Sequence, residues 1–298
     1  MNPQEVAVQE DEGLGWGKSL PVPSVQEMVR KDSQSLPERY IQEHNNRPLD
    51  SEFSPDLCEI PIINFYLLAN GDEEEQRKLD LACKEWGFFQ ITDHGVTEKV
   101  LHDMKAAEAA FFELPLEEKK KYAMGENDLQ GYGQGYVVSE QQKLEWCDLI
   151  FLMTLPPNIR KFKHWPVSIP GFKKAVETYS TEMQKVAEEM HKQKWVPVKP
   201  IPNAIVVNIG DALEVWSNGV YKSIEHRAVT NEKRSRMSIA TFLIPGDEVE
   251  IGPLESMVDD KHHPRMYKKI KYLDFLRHSL GGKLDGKAHT EFLKLDAE

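Results

Sequence analysis

Cysteine is scarce in this chain: Cys58, Cys83 and Cys147 are the three cysteines among 298 residues. They form no C-x-x-C pair, which argues against a zinc finger, and an odd, widely spaced set does not suit a disulfide framework. We therefore expect reduced thiols, as in proteins of the cytoplasm.

Long apolar runs are also missing. No stretch of about eighteen apolar residues occurs, so the sequence predicts no membrane-spanning helix. The acidic N-terminal stretch MNPQEVAVQEDEG has no apolar core of the kind that a signal peptide needs. We expect a cytoplasmic location.

Positive charge is in deficit, since 37 Lys and Arg residues face 49 Asp and Glu residues, for a formal net charge of -12. An acidic surface repels nucleic acid and anionic membranes, so neither is an expected partner. The 40% hydrophobic and 29% charged residues are typical of a globular protein. A chain of this length can form one large domain or two modest ones.

The pattern of apolar residues predicts a protein that mixes helices and strands. Helices are predicted where apolar residues recur at spacings of three and four between capping residues. Strands are predicted in short apolar runs bounded by turn residues. The predicted helices are 72–87, 97–113, 170–188 and one within the last forty residues, and the predicted strands are 60–65, 88–92, 148–155, 204–210, 213–217 and 237–244.

Two glycine-rich stretches do not indicate a nucleotide site. GLGWGKS near the N-terminus follows no strand, which favours a loop that packs onto the domain. QGYGQGY at 130–136 has no basic residue after it that could hold a phosphate, which favours a role in turn geometry.

His226 and the pair Arg236 and Ser238 are the candidate functional residues. A lone histidine is most often a packed or surface residue, and Arg-x-Ser alone is a common pattern. On a strand, alternation places the Arg236 guanidinium and the Ser238 hydroxyl on one face and the apolar neighbours on the other. A forked cation beside a hydroxyl in the interior of a sheet suits a carboxylate better than solvent.

Motifs along most of the chain resemble one family when they are taken in order. They are IPIINF, LACKEWGFFQITDHGV, FFELPLEEKKKY, GYGQGYV, WCDLIFLMTLPP, WVPVKPIPNAIVVNIGDALEVWSNGVYKSIEHRAV and RMSIATF. Together they resemble the plant iron(II)- and 2-oxoglutarate-dependent dioxygenases. Within that family they are most similar to the senescence-related subgroup, which includes codeine and thebaine O-demethylases and norcoclaurine-synthase-like proteins.

The resemblance implies an α+β fold in which an N-terminal helical region precedes a double-stranded β-helix, or jelly roll. It implies an N-terminal extension at 1–50, a helical and strand domain at 51–193, and a jelly-roll region at 194–298 that is a remnant of the iron and 2-oxoglutarate domain.

The resemblance also assigns roles to the candidate residues. In the family, two histidines and a carboxylate hold Fe(II), and an H-x-D motif supplies the carboxylate and the first histidine. His226 matches the second histidine. Arg236 and Ser238 match the pair that binds the far carboxylate of the cofactor 2-oxoglutarate.

The implied activity is hydroxylation or O-demethylation of a small aromatic or alkaloid metabolite, which is the expected partner. Phe151, Met153 and Phe242 are apolar enough to line a substrate cavity, and plain core is the commoner role for such residues.

The H-x-D motif is absent upstream of His226. The stretch in which the family places it contains PGFKKAVETYS and no histidine. His289-Thr290-Glu291 is the one H-x-[DE] match and follows the Arg-x-Ser pair, so its order is wrong. His102 and Asp103 are adjacent and fall on a predicted surface helix. One histidine cannot replace three ligands, so we expect no usable iron site.

The sequence predicts that a block of the family's chain is missing between EEMHK at 188–192 and KWVPVKPIPNA at 194–204. Without the strands of that block the jelly roll is incomplete, and its exposed strand edges favour self-association. We therefore expect this chain to be inactive as a dioxygenase. It can be a shortened isoform or a gene model that lacks an exon, a non-catalytic binding protein that acts through its N-terminal half, or a pseudogene product.

Overall fold

The computed structural model describes residues 19–32, 36–41, 60–134, 137, 139–140, 142–188, 201–226, 228, 231, 234–259, 261–281 and 287–295. The helices within these ranges are α1 (Val25–Lys31), α2 (Phe65–Ala69), α3 (Glu73–Glu85), α4 (Glu98–Glu113), α5 (Leu116–Lys120), α6 (Phe172–Glu188), α7 (Asp211–Trp216), α8 (Tyr272–Gly281) and α9 (Ala288–Glu291). The strands are β1 (Ile62–Asn64), β2 (Phe88–Thr92), β3 (Gly131–Gly133), β4 (Leu149–Phe151), β5 (Ile205–Asn208), β6 (Glu250–Ile251) and β7 (Ile270–Lys271).

Helix α3 forms as its sequence predicts. The Asp72 side chain accepts a hydrogen bond from the Glu75 backbone N–H at 2.8 Å, which caps the N-terminus. Acidic residues fill the first turn, where they interact favourably with the helix dipole. Leu79, Ala82 and Cys83 are buried on one face, so the predicted apolar stripe is confirmed.

A three-stranded sheet in the order β1-β2-β5 lies at the centre of the first core. β1 runs parallel to β2, with helices α2 and α3 in the crossover, and β5 runs antiparallel to β2. Phe89 and Ile91 of β2 are fully buried. They pack with α3, the C-terminal half of α6 and Ile209 in one apolar cluster.

A second core lies between α4 and the N-terminal half of α6. Phe111 of α4 and Phe172 and Val176 of α6 are buried there together with Tyr132 of β3 and Trp165. The apolar repeat that predicts α6 is confirmed, because Phe172, Val176, Met183 and Val186 are buried. The predicted missing block falls outside the residues that the structure describes, since these exclude 189–200.

The N-terminal helix α1 is fixed by Asp148, a residue far away in sequence. The Asp148 carboxylate accepts hydrogen bonds from the Ser24 hydroxyl at 3.0 Å and from the backbone N–H groups of Val25 at 3.0 Å and Gln26 at 2.8 Å. These bonds satisfy backbone donors that no helical partner can reach. The buried Lys119 side chain also donates a hydrogen bond to the Gln26 side chain.

The strand prediction for 213–217 is wrong, because residues 211–216 form helix α7. Ala212, Val215 and Trp216 all pack into the C-terminal apolar cluster with α8 and β6, and their spacing of three and four suits one face of a helix. The apolar run alone does not distinguish the two structures.

The strand prediction for 237–244 is also wrong. Residues 234–246 are described and belong to no strand, and Met237, Phe242, Leu243 and Ile244 are exposed. A strand needs a neighbour that completes its hydrogen bonds, and the described elements offer this segment none.

The predicted fold class is confirmed: helices combine with small sheets of three, two and two strands, as in an incomplete jelly roll. β5 belongs to the predicted region 194–298 and pairs with β2 of the region 51–193, and the domain division stays a prediction. Cys83 and Cys147 form no disulfide among the described residues, and Cys58 lies outside them. None of the described helices has the length and apolarity to cross a membrane.

Candidate functional site

His226 is exposed, in irregular chain beyond α7. Its Nδ1 lies 3.2 Å from the carbonyl oxygen of Ile224, and its ring centroid lies 6.1 Å from that of Phe88 at the start of β2. The imidazole is thus placed at the surface beside the central sheet, a setting that many structural histidines share.

Glu214 of α7 holds the chain that leads to His226. This buried carboxylate accepts hydrogen bonds from the Ser223 backbone N–H at 2.6 Å, from Lys287 Nζ at 3.0 Å and from the Tyr267 hydroxyl at 3.0 Å. Burial and the charge of Glu214 raise the pKa of Tyr267, so the phenol remains a donor. The network links Glu214 of α7 to Lys287 at the start of α9 and to Tyr267.

Gly87 brings the same chain close to the sheet. Its φ is +72°, and a Cβ at this position would lie 3.0 Å from the carbonyl oxygen of Lys222 and 3.0 Å from the Cβ of Ile224. Glycine is therefore required both for the backbone conformation and for the close approach. It places the residues just before His226 against the start of β2.

Arg236 and Ser238 are both exposed, in the segment that forms no strand among the described residues. The sheet face that the alternation of Arg236 and Ser238 was predicted to build is therefore not formed here. An exposed guanidinium is well hydrated, and a carboxylate gains little by replacing that water. Their predicted role in binding 2-oxoglutarate stays a prediction.

Glu108 of α4 lies near Tyr179, whose hydroxyl is hydrogen-bonded to Thr241 of the segment 234–246. Glu108 was not predicted from the sequence. Its Oε2 is buried and has no hydrogen-bond partner among the residues that the structure describes. Burial raises the pKa of Glu108 from 4.5 to about 7. Burial also raises the pKa of Tyr179, whose hydroxyl is hydrogen-bonded to Thr241 and lies within the field of Glu108.

A second polar cluster, around Asp128, was also missed. The buried Asp128 carboxylate lies 3.0 Å from Nε2 of the buried His164 and accepts hydrogen bonds from Lys161 Nζ and Lys163 Nζ, each at 2.9 Å. Burial alone would raise the pKa of Asp128, but these hydrogen bonds outweigh it and hold the pKa well below its usual range. The basic run KFKH, which supplies all three donors, is the sequence signal that could have found it.

The side chains that the structure describes do not form an iron centre. Among the described side chains, no three His, Cys, Asp or Glu groups are arranged to hold a metal ion. His102 is exposed and lies 3.9 Å from the Asp103 carboxylate on α4, as expected of a surface pair. Thr290, in the middle of His289-Thr290-Glu291, is buried in α9, within the C-terminal unit.

An open cleft of about 560 Å³ lies near the start of α6. Phe162, Trp165, Val167 and Ile169 form its apolar wall, and Lys173 stands at its rim. The predicted pocket residues do not line this cleft: Phe151 and Met153 are half-buried in and after β4, and Phe242 is exposed.

Two family models match consecutive parts of the chain. Residues 60–169 match the N-terminal model of the non-haem dioxygenases in morphine synthesis, and residues 172–245 match the 2OG-Fe(II) oxygenase superfamily. The second match includes His226, Arg236 and Ser238.

Curated relatives and a solved structure extend the match to most of the chain. S-norcoclaurine synthase 1 of Coptis japonica is 37% identical over 353 aligned positions, which cover 94% of this chain and 98% of the relative. Codeine O-demethylase of Papaver somniferum is 30% identical, with coverages of 94% and 98%. The crystal structure of JOX2 in complex with 2OG, Fe and JA matches with a TM-score of 0.80 and 25% identity over 93% of this chain and 99% of that one.

These matches confirm the resemblance that the motifs indicated, including the norcoclaurine-synthase-like and codeine O-demethylase-like subgroup. The cofactors of this family are Fe(II) and 2-oxoglutarate. The chain belongs to the plant 2OG-Fe(II) oxygenase family.

Proposed function

We propose that this chain is a non-catalytic member of its family and that it lacks, between EEMHK at 188–192 and KWVPVKPIPNA at 194–204, the block that carries the first two iron ligands. One observation carries the proposal: no H-x-D or H-x-E triplet precedes His226 anywhere in the sequence. Three protein ligands on one face give the family's sites their affinity for iron, and His226 alone supplies one.

The alignment lengths support an internal loss. S-norcoclaurine synthase 1 aligns over 353 positions, more than the 298 residues that this chain contains, although the alignment reaches nearly the whole length of both proteins. The relative therefore has residues without a counterpart here. The exposure of His226, Arg236 and Ser238 also supports the proposal, since a working cofactor site is enclosed by protein.

Metal binding tests the proposal directly. Anaerobic titration of the full chain with Fe(II), with and without 2-oxoglutarate, is expected to show no stoichiometric binding and no succinate formation. The variant His226→Ala is the matched control, and it is expected to behave like the wild type. One iron per wild-type chain, lost in His226→Ala, would show that His226 does hold iron and that the proposal is wrong.

A second function is favoured by the relatives, whose names include a norcoclaurine synthase and a codeine O-demethylase. We propose that a natural version carrying the block hydroxylates or demethylates a small aromatic or alkaloid metabolite. In that version His226 would be the third iron ligand, and Arg236 with Ser238 would bind the far carboxylate of 2-oxoglutarate. Sequencing the native transcript across codons 185 to 200 distinguishes the two functions, because additional codons with an H-x-D motif there would favour the enzyme.

The N-terminal half supports a binding role for the shortened chain. Phe89, Ile91 and Phe111 are fully buried in its two cores, β5 and Ile209 of the later region contribute to the first of them, and Asp148 holds α1. Such a unit can present a stable surface without iron chemistry. Its partners under this proposal are small molecules or other proteins, in keeping with the acidic net charge.

A further inference from the structure

The cleft at the start of α6 presents apolar side chains to solvent. On its wall Val167 is 89% exposed and Phe162 is 47% exposed. Phe162 lies edge-on to Trp165, with ring centroids 5.2 Å apart and ring planes at 67°, so the two rings form an aromatic corner. The cleft volume of about 560 Å³ is within the range of pockets that take small ligands. A flat apolar body suits this wall.

Two lysines give the rim of the cleft a positive charge. Lys173 and Lys174 line the cleft and stand in the first turn of α6, which contains no acidic residue. Positive charge is unfavourable there, because the helix dipole places a partial positive charge at the same end. Neither lysine forms an ion pair with a residue that the structure describes, and Lys173 Nζ lies 4.2 Å from the centroid of the Phe162 ring. An anion at the rim would offset this local charge.

The other polar groups of the cleft leave this charge in place. Glu177 also lines the cleft, but its carboxylate accepts a hydrogen bond from the Arg160 guanidinium at 2.8 Å. The backbone N–H groups of Lys173 and Lys174 form no hydrogen bond to a described residue, as is usual for the first turn of a helix. They add two donors to the two ammonium groups.

The wall of the cleft also holds an unpaired donor. Trp165 lines the cleft and is 2% exposed. Its Nε1 is buried and has no hydrogen-bond partner within the described part of the chain. A buried N–H without an acceptor is unfavourable. A ligand that brings an acceptor oxygen into the cleft can remove this cost.

We propose that the cleft binds a small aromatic carboxylate, with its ring against Phe162 and Val167 and its carboxylate beside Lys173 and Lys174. The net charge of -12 repels anions in general, so binding depends on these two local cations.

The cleft is separate from the residues that match the family's cofactor site. It lies where the two family matches meet, since 60–169 supply its aromatic wall and 172–245 supply its lysines. Pockets often form at such junctions. His226, Arg236 and Ser238 do not line it. The ligand site therefore goes beyond the proposed function and does not depend on it.

Titration with 2-naphthoate tests the site, because this probe joins a flat aromatic body to one carboxylate. Isothermal titration calorimetry of the full chain is expected to show one probe per chain with a Kd below about 1 mM. 2-Naphthamide, which has nearly the same shape and no charge, and acetate, which lacks the rings, are each expected to bind at least about tenfold more weakly.

Substitutions at the rim test where the probe binds. Lys173→Ala with Lys174→Ala is expected to weaken 2-naphthoate binding at least about tenfold, whereas Lys173→Arg with Lys174→Arg keeps the charge and the affinity. Val167→Glu, which adds a negative charge to the wall, is also expected to weaken binding. Lys185→Ala alters an exposed lysine about 18 Å further along the same helix and is the matched control, with unchanged affinity. All four positions are exposed, so the variants are expected to keep the wild-type fold, which urea unfolding checks.

Several outcomes overturn the site: no binding of 2-naphthoate, equal binding of its amide, unchanged affinity in the double alanine variant, or an equal loss in Lys185→Ala. Loss of binding in Arg236→Ala overturns it too, because the probe would then occupy the predicted 2-oxoglutarate site. The iron titration is an independent measurement. A chain that binds both iron and 2-naphthoate overturns the proposed function alone, and a chain that binds neither overturns the cleft site alone.

Discussion

Glu108 allows a quantitative test of how much a buried carboxylate costs this fold. The perturbation is Glu108→Gln, which keeps the shape of the side chain and removes its charge. The wild-type carboxyl has a pKa of about 7 instead of 4.5 because burial disfavours its ionised form. Below pH 4.5 the folded and unfolded states are both protonated, so ionisation has no effect on stability.

Between pH 4.5 and about 7 the unfolded state loses its proton while the folded state keeps it, so the wild type loses stability as the pH rises. A pKa difference of this size corresponds to at most about 3 kcal/mol. The side chain is only partly buried, and solvent screening reduces the cost, so we expect about 1–2 kcal/mol at pH values above 7.

Urea unfolding of both proteins at about pH 5 and about pH 8 measures this cost. Glu108→Gln is expected to be more stable than the wild type by about 1–2 kcal/mol at about pH 8 and by much less at about pH 5. Glu126→Gln, which alters an exposed carboxylate in the turn after α5, is the control and is expected to change little at either pH. A Glu108→Gln variant with no gain at the higher pH, or with the same gain at both, would refute the role assigned to burial.

Two further substitutions test the polar anchors of the fold. Asp128→Asn is expected to cost about 2–3 kcal/mol, since it weakens the charged hydrogen bonds from His164 and the two lysines, and urea unfolding at neutral pH measures the loss. The lowered pKa of Asp128 means that its ionised carboxylate stabilises the fold, so wild-type stability is expected to fall as the pH drops below about 4. Asp128→Asn has no such carboxylate and is expected to be less sensitive to acid. Equal acid sensitivity of the two proteins would contradict this role of Asp128. Asp148→Ala removes the acceptor of the Val25 and Gln26 backbone N–H groups, and we expect a cost of about 1 kcal/mol and faster proteolytic cleavage within Val25–Lys31. Unchanged cleavage would contradict the anchoring role.

The elements that local chemistry determines could be predicted from the sequence. Helix α3 follows from Asp72 as a cap, acidic residues in the first turn and an apolar stripe that includes Leu79 and Cys83. Strand β2 follows from a short apolar run between turn residues. In each case the signal lies within about fifteen residues of the element that it specifies.

The errors occur where distant partners decide the structure. Residues 237–244 have the composition of a strand, but no described strand lies beside them, and composition alone cannot supply one. The apolar pattern of residues 213–217 fits either a strand or a helix. Packing in the C-terminal apolar cluster stabilises the helix. Burial of Glu108 depends on tertiary packing near Tyr179, 71 residues away, so its raised pKa could not be predicted from the sequence. The basic run at 161–164 indicates the partners of Asp128, but not which carboxylate they bind.

The pairing of β2 with β5 has a consequence for synthesis on the ribosome. Phe88 lies opposite Asn208, and the Gln90 side chain accepts a hydrogen bond from the backbone N–H of Ile201, 111 residues away. At about 5–20 residues per second, roughly ten seconds pass between translation of the two strands. During that interval β1 and β2 can pair locally, while the other edge of β2 stays open. The nascent N-terminal half thus exposes a sheet edge that is closed only after most of the chain has been made.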